Sequence, residues 1–278
     1  MSSILTNSSA MNALATLKDV NRGLNQTQDR VSTGLKVASG KDNAAYFAVS
    51  ETMKGDSGMF KAINEGMTAT KNSVATARLG AETVSDIAQQ IVERVAFAQT
   101  DGVDRADVQL EIDALVKNMG TAIEQATFNG DNLVDGTKVG VGNEVTVVNG
   151  VKRTGATFGT TSFTFEGVDL GAIKTAMEAI DVGTSTDLAA DLATAEGQLA
   201  ASITASTSLG ITENALDGQM EFIDSLTDTL DSGVSSMVDA DMEEEAARLQ
   251  AYQVQQQLAT QSLSIANQAP QNILSLFR

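Results

Sequence analysis

Two apolar repeats with alternating four- and three-residue spacing, one at each end of the chain, constrain its fold more than any other feature. Near the start, Ala10, Leu14, Leu17, Asn21, Leu24, Gln28, Val31 and Leu35 follow a strict 4-3 pattern. Near the end, Ala247, Ala251, Val254, Leu258, Gln261 and Ile265 do the same, with Leu249 and Leu263 widening the stripe. Such spacing puts one apolar seam along an α-helix and is the signature of coiled-coil packing. The first helix is predicted from Ile4 to Thr33, with Gly34 as its cap, a rod of about 45 Å. Pro270 is expected to end or kink the last one. A two-helix pair of this length buries too little apolar surface to stand by itself. Asn21 and Gln28 interrupt the seam as register-setting positions in an interface do. The two ends therefore need copies of themselves or another partner.

Between the rods, residues 57–100 and 104–127 read as two further helices, broken at Asp101-Gly102, with Asp104 as N-cap and Asp107 in the first turn. The pattern then changes. Asn129-Gly130, Asp135-Gly136 and Asn149-Gly150, with the β-rich runs EVTVV (144–148) and TSFTF (161–165), predict hairpins with primed turns. A helix is expected at 169–181, and helical character returns from Thr186 past Leu230. Gly233 and the segment SSMVDADMEEE suggest a hinge before the last helix. The predicted fold is mainly α: long coiled-coil terminal helices and an α-helical bundle with a β-hairpin, plus a small β-containing central insertion.

Charge and composition narrow the function. The 278-residue chain carries net charge −18, with no Cys, no His and one Pro. Lys18, Arg22, Arg30 and Lys36 against Asp19 and Asp29 leave +2 on residues 1–36. Arg248 and Arg278 leave +2 on 246–278, so the middle holds −22. An acidic body opposes nucleic acid and anionic membranes as partners. Without Cys and His, thiolate and imidazole catalysis and soft-metal sites cannot be built. DADMEEE (239–245) spaces Asp239, Asp241 and Glu243 like calcium ligands, but Glu244 and Gln250 replace the glycine and glutamate such a loop needs, so a helix start is the better reading. GVGNEVT (140–146) reads as a hairpin turn, and Lys54 and Lys61 near Ser50 and Ser57 do not make a nucleophile–base set. No catalytic, cofactor or metal site is expected. The N-terminus lacks the basic and apolar regions of a secretory signal, and AAYFAV (44–49) is too short to span a bilayer. By these residues alone the chain would be cytosolic.

Three stretches resemble bacterial flagellins: QDRVSTGLKVASGKDNAAYFAVSETMKG (28–55), ATFNGDNLVDG (126–136), and VDADMEEEAARLQAYQVQQQLATQSLSIANQAPQNILSLFR (238–278). They occur in the family's order on both sides of a variable centre, and the start and short centre are similar to alphaproteobacterial members. The resemblance implies a subunit that self-polymerises into the flagellar filament for swimming motility. It would leave the cell unfolded through the flagellar type III export apparatus and fold its termini on assembly. It implies three domains: 1–40 with 241–278 as a terminal coiled-coil core, 41–135 with 185–240 as a helical bundle, and 136–184 as a small surface-exposed domain. Self-assembly would use Ile4, Leu14, Leu17, Leu24, Val31, Leu35, Leu249, Val254, Leu258, Leu263, Ile265, Ile273, Leu276 and Phe277. Implied partners are the chain itself with paralogous flagellins, an export chaperone covering the apolar C-terminus, and hook-associated proteins. Glu93, Arg94 and Val95 stand about where other flagellins carry the arginine and leucine that innate immune receptors recognise, which predicts weak recognition. Thr154, Thr157, Thr160, Thr161 and Ser162 are candidate O-glycosylation positions if exposed. The alternative is a hook–filament junction protein, which shares the terminal organisation.

Overall fold

The computed structural model describes residues 7–140, 142–154 and 157–276, and its chain divides into two compact units, Met1–Ser57 with Thr229–Arg278 and Gly58–Asp228. Among the described residues there are six α-helices and two small antiparallel sheets, in keeping with the mainly α class expected.

The first unit contains the two terminal helices, α1 (Ser8–Thr33) and α6 (Met242–Leu276), packed on each other. Asn7 caps α1 by accepting the Ala10 amide, and Gly34, at φ 73°, ends it by donating to the Arg30 carbonyl. A β-branched or bulky residue at that φ would be strained, so the glycine fixes the stop. At the other helix, Asp241 accepts the amides of Glu243 and Glu244, and three glutamates occupy the first turn against the positive end of the dipole. The DADMEEE segment is a helix start.

The chain after α1 is tied to the chain before α6. Lys36 and Val37 donate to the Val238 carbonyl, and Ala240 donates back to that of Gly34. Beneath this crossing lies a small core of Val37, Val234 and Val238, with Leu35, Phe47, Met53 and Met237 packed against it.

Two features differ from expectation here, the stop at Pro270 and the hinge at Gly233, each for a physical reason. Helix α6 continues past Pro270 to Leu276, because a missing N–H removes one rung while each later residue adds its own. Gly233 is no hinge. It lies inside α5 (Leu188–Val238), and a Cβ there would sit 2.8 Å from the Met53 methyl, so the glycine serves close packing; the chain breaks at Asp239–Asp241 instead.

Helix α2 (Ala44–Ala98) is longer than the 57–100 segment expected, because Asn43 caps a start at residue 44 and Gly55 and Gly58 are absorbed in its interior. In the second unit, Val74, Ala77, Ala81, Val84, Ala88, Ile91, Val95 and Ala98 of α2 form a buried 3-4 seam. They pack in one core with Val108, Ile112, Val116, Met119 and Ile123 of α3 (Arg105–Gln125) and with Ala205, Leu209, Leu216 and Ile223 of α5. Asp104 caps α3 as expected. A polar ladder flanks the seam at seven-residue steps along α2: Asn64 to Asp224 at 2.5 Å, Lys71 to Asp217 at 2.5 Å, and Arg78 to Glu213 at 2.8 Å. Its steps fix one antiparallel register; as partly exposed pairs they add little stability.

β1 (Thr127–Phe128) and β2 (Asp131–Asn132) are joined by Asn129 and Gly130, both at positive φ, the predicted primed turn. β3 (Val145–Thr154) pairs with β4 (Thr157–Phe165), with a bulge between Val148 and Gly150. Asn149-Gly150, expected to be a turn, is therefore inside β3, because the strand continues through a glycine bulge. Val147 and Phe165 at the hairpin base, and Leu170, Ile173 and Met177 of α4 (Leu170–Glu178), join the same core.

Candidate self-assembly interface

Helix α6 carries two parallel seams. The inner one, facing α1, is Glu245, Leu249, Tyr252, Gln256, Ala259, Leu263 and Ala266, buried or half-buried at a strict 4-3 spacing. The outer one is the repeat visible in the sequence, Ala247, Ala251, Val254, Leu258, Gln261 and Ile265, and every member is exposed. Val254, Leu258 and Ile265 are 55, 59 and 69% exposed.

The inner face of α1 is Ala10, Ala13, Leu17, Val20, Leu24, Thr27 and Val31, of which Val20 and Thr27 are buried and the others half-buried. Leu17, Leu24 and Val31 of the predicted interface are on it. Leu35 is half-buried just beyond the helix, bridging to Asp239. Leu14 and its neighbour Met11 are exposed, and so is Gln28, whereas Asn21 faces inward. Of the predicted α6 residues, Leu249 and Leu263 are on the inner seam and Val254, Leu258 and Ile265 on the outer. Ile273 and Leu276 lie in the last turns of α6, where only the backbone is described; Ile4 and Phe277 lie outside the described residues.

Sequence reasoning missed Ala13, Val20, Thr27, Tyr252, Gln256, Ala259 and Glu245. A signal for them exists. Tyr252, Ala259 and Ala266 recur every seven residues, in phase with Leu249 and Leu263, one heptad frame away from the more apolar outer repeat.

Polar contacts stud the inner seam. The Asn7 side-chain amide donates to the Ala266 carbonyl at 2.7 Å, and Gln256 Nε2 donates to Asn21 Oδ1 at 2.7 Å. Arg30 Nη1 reaches Glu245 Oε1 at 3.0 Å, and the Glu245 side chain is only 5% exposed. Arg248 approaches the same oxygen at 3.4 Å and Glu244 at 2.5 Å, while Glu245 Oε2 is buried without a hydrogen-bond partner. Between these contacts the Tyr252 ring lies over Gly23, where a Cβ would stand 2.6 Å from it. Glycine in a helix interior costs about 1 kcal/mol relative to alanine, so this close approach has a price that only packing offsets.

The groups weighed for catalysis are otherwise engaged. The Ser50 hydroxyl donates to the Phe47 carbonyl, Ser57 to Asp231 at 2.7 Å, and Lys54 pairs with Glu51. Among the described residues no cluster of three potential metal ligands occurs, and no helix is long and apolar enough to cross a membrane. In the segment weighed for receptor recognition, Val95 is buried in the bundle core and Arg94 pairs with Glu111 at 3.2 Å. Thr160, Thr161 and Ser162 are exposed on β4.

The bacterial flagellin N-terminal helical region matches residues 4–139, and the C-terminal helical region matches 192–277. A flagellin of Brucella melitensis biotype 1 is 37% identical over the whole of both chains, and flagellin FljM of Caulobacter vibrioides is 33% identical over all of this chain and 99% of its own. The fold is also similar to a Vibrio parahaemolyticus structure solved as a flagellar hook-associated protein, with a TM-score of 0.55 and 12% identity over 71% of this chain and all of that one. With terminal helices whose apolar repeats exceed what one copy can cover, and with both flagellin regions matched, the chain belongs to the bacterial flagellins, the structural subunits of the flagellar filament.

Proposed function

We propose that this flagellin builds the filament through the outer seam of α6 and the exposed Met11–Leu14 edge of α1, both covered by neighbouring copies. One observation carries the reading: the outer seam of α6 is more apolar than the inner seam, yet it is the exposed one. Moving a Val, Leu or Ile side chain fully out of water is worth about 1.5–3 kcal/mol. The inner seam, by contrast, mixes leucines with Glu245, Gln256, Asn21 and small residues and leaves most of them half-buried, so α1 and α6 gain little from each other and fold fully only when neighbours cover the outside. Folding of the terminal helices is thereby coupled to assembly.

In this reading residues 1–40 with 241–278 form the terminal coiled-coil core domain, 41–135 with 185–240 a helical bundle domain, and 136–184 a small surface-exposed domain. The −22 middle keeps the polymer surface soluble, while the slightly basic ends stack without mounting repulsion. Absence of Cys and near absence of Pro suit a chain exported unfolded through the type III apparatus, with no disulfide to rearrange and one slow X–Pro bond at most. An export chaperone covers the C-terminal stretch, including Ile273, Leu276 and Phe277, until export to the cell exterior. Hook-associated proteins meet the filament at its ends. Immune recognition is weak, since Val95 is in the core and Arg94 is paired; reporter-cell potency equal to that of a strongly stimulatory flagellin would contradict it.

The test of the assembly reading is removal of Gln271–Arg278. Filament yield should fall steeply, while the Gly58–Asp228 unit melts as before. Undiminished polymerisation would overturn it.

A further inference from the structure

We infer that Asn21, Gly23 and Arg30 of α1, set against Gln256, Tyr252 and Glu245 of α6, form a register code by which α1 selects the α6 of its own chain at one alignment. This rests on the filament-subunit reading, because only in a polymer is each α1 surrounded by many identical α6 helices.

The apolar part of the inner seam cannot make this choice. Its apolar residues follow the same 4-3 spacing on both helices, so a slip of one heptad, about 10 Å along the axis, re-forms similar contacts. The three pairs do not survive the slip. In one direction Arg30 comes to face Tyr252, Asn21 faces Leu263, and Glu245 keeps only the longer 3.4 Å contact to Arg248 of its own helix. The tyrosine ring also leaves the one inner-face position of α1 that has no side chain within the helix. In the other direction Arg30 passes beyond the start of α6, Asn21 faces Leu249, and Gly23 faces the Glu245 carboxylate. Each misalignment sets the Asn21 amide against a leucine and parts Arg30 from Glu245, and buried polar groups left without a partner are penalised far more than a good pair is rewarded. Glu245 is already short of one partner at Oε2, which makes loss of Arg30 harder to tolerate. The pairs therefore contribute discrimination rather than net stability, the role a single polar residue plays in a coiled-coil seam.

The code has a test in charge exchange. Arg30→Glu and Glu245→Arg should each cut filament yield about tenfold or more, and the double exchange in one chain should return most of it. An equimolar mixture of the two single variants should stay as poor as either, because the matching charges then sit on different chains. Rescue by the mixture would show pairing between chains, and failure of the double variant to recover would show no pairwise recognition; either overturns the code. Because the chain has no cysteine, a second readout is available. With a short thiol crosslinker on assembled filaments, Asn21→Cys with Gln256→Cys should close within one chain, and Asn21→Cys with Leu263→Cys, one heptad away, should not. Equal crosslinking of both pairs would also overturn it. Failure of the unaltered chain to polymerise would instead contradict the filament reading.

Discussion

The seam of α2 in the second unit and the seam of α1 with α6 in the first have the same 3-4 spacing and opposite degrees of burial. Val74, Ala77, Ala81, Val84, Ala88, Ile91 and Val95 are all sealed, because α3, α5 and the hairpin base close over them. Among the described residues of α1 and α6 only Val20, Thr27, Glu245 and Ala259 are buried; the inner-face leucines are half-buried, and Met11, Leu14, Val254, Leu258 and Ile265 look outward. A heptad repeat thus says that a helix face needs cover, and the number of layers available decides whether one chain can supply it. The bundle is self-sufficient. In the proposed assembly the terminal pair is half of an interface.

The difference can be broken from either side. Leu258→Asp places a charge in the outer seam; polymerisation should fall by roughly a hundredfold, about 3 kcal/mol, while the monomer melting curve stays in place. Sedimentation of polymer against soluble chain measures it, and an unchanged pellet would remove Leu258 from the interface. Leu216→Ala attacks the sealed core and should cost the monomer about 2–5 kcal/mol in chemical denaturation. Asp104→Ala removes the cap of α3 and should cost about 1 kcal/mol by the same method. The smallest effect concerns pH. The Asp181 carboxyl is held below the usual carboxylate range by hydrogen bonds from the Thr184 hydroxyl and amide. Its folded value is the lower one, so its contribution is present above the unfolded value and fades as pH falls through the folded one. Thr184→Ala should flatten that acid dependence slightly; an unaltered acid limb would deny the turn any role.

Much of this was legible in the chain. The existence of both rods, the stop at Gly34, the cap at Asp104, the helix start within DADMEEE, the Asn129-Gly130 turn and the α4 segment follow from local rules. What periodicity could not supply was direction. In α6 two heptad frames overlap, and the more apolar one, Val254, Leu258 and Ile265, draws the eye although it faces solvent in a single chain. Only tertiary contact singles out Tyr252, Gln256 and Ala259, whose mixed chemistry makes a weak pattern. Asn149-Gly150 misled for a related reason: the same dipeptide serves a turn or a bulge, and the strand beyond it decides.

Hydrogen exchange on soluble chain and on assembled filaments tests most directly the claim that the terminal pair is completed by neighbours. Amides of residues 242–268 and 8–33 should exchange rapidly in the soluble chain and become protected in the filament, while those of 74–98 stay protected in both. Strong protection of α1 and α6 in the soluble chain, at the level of the bundle core, would contradict the account.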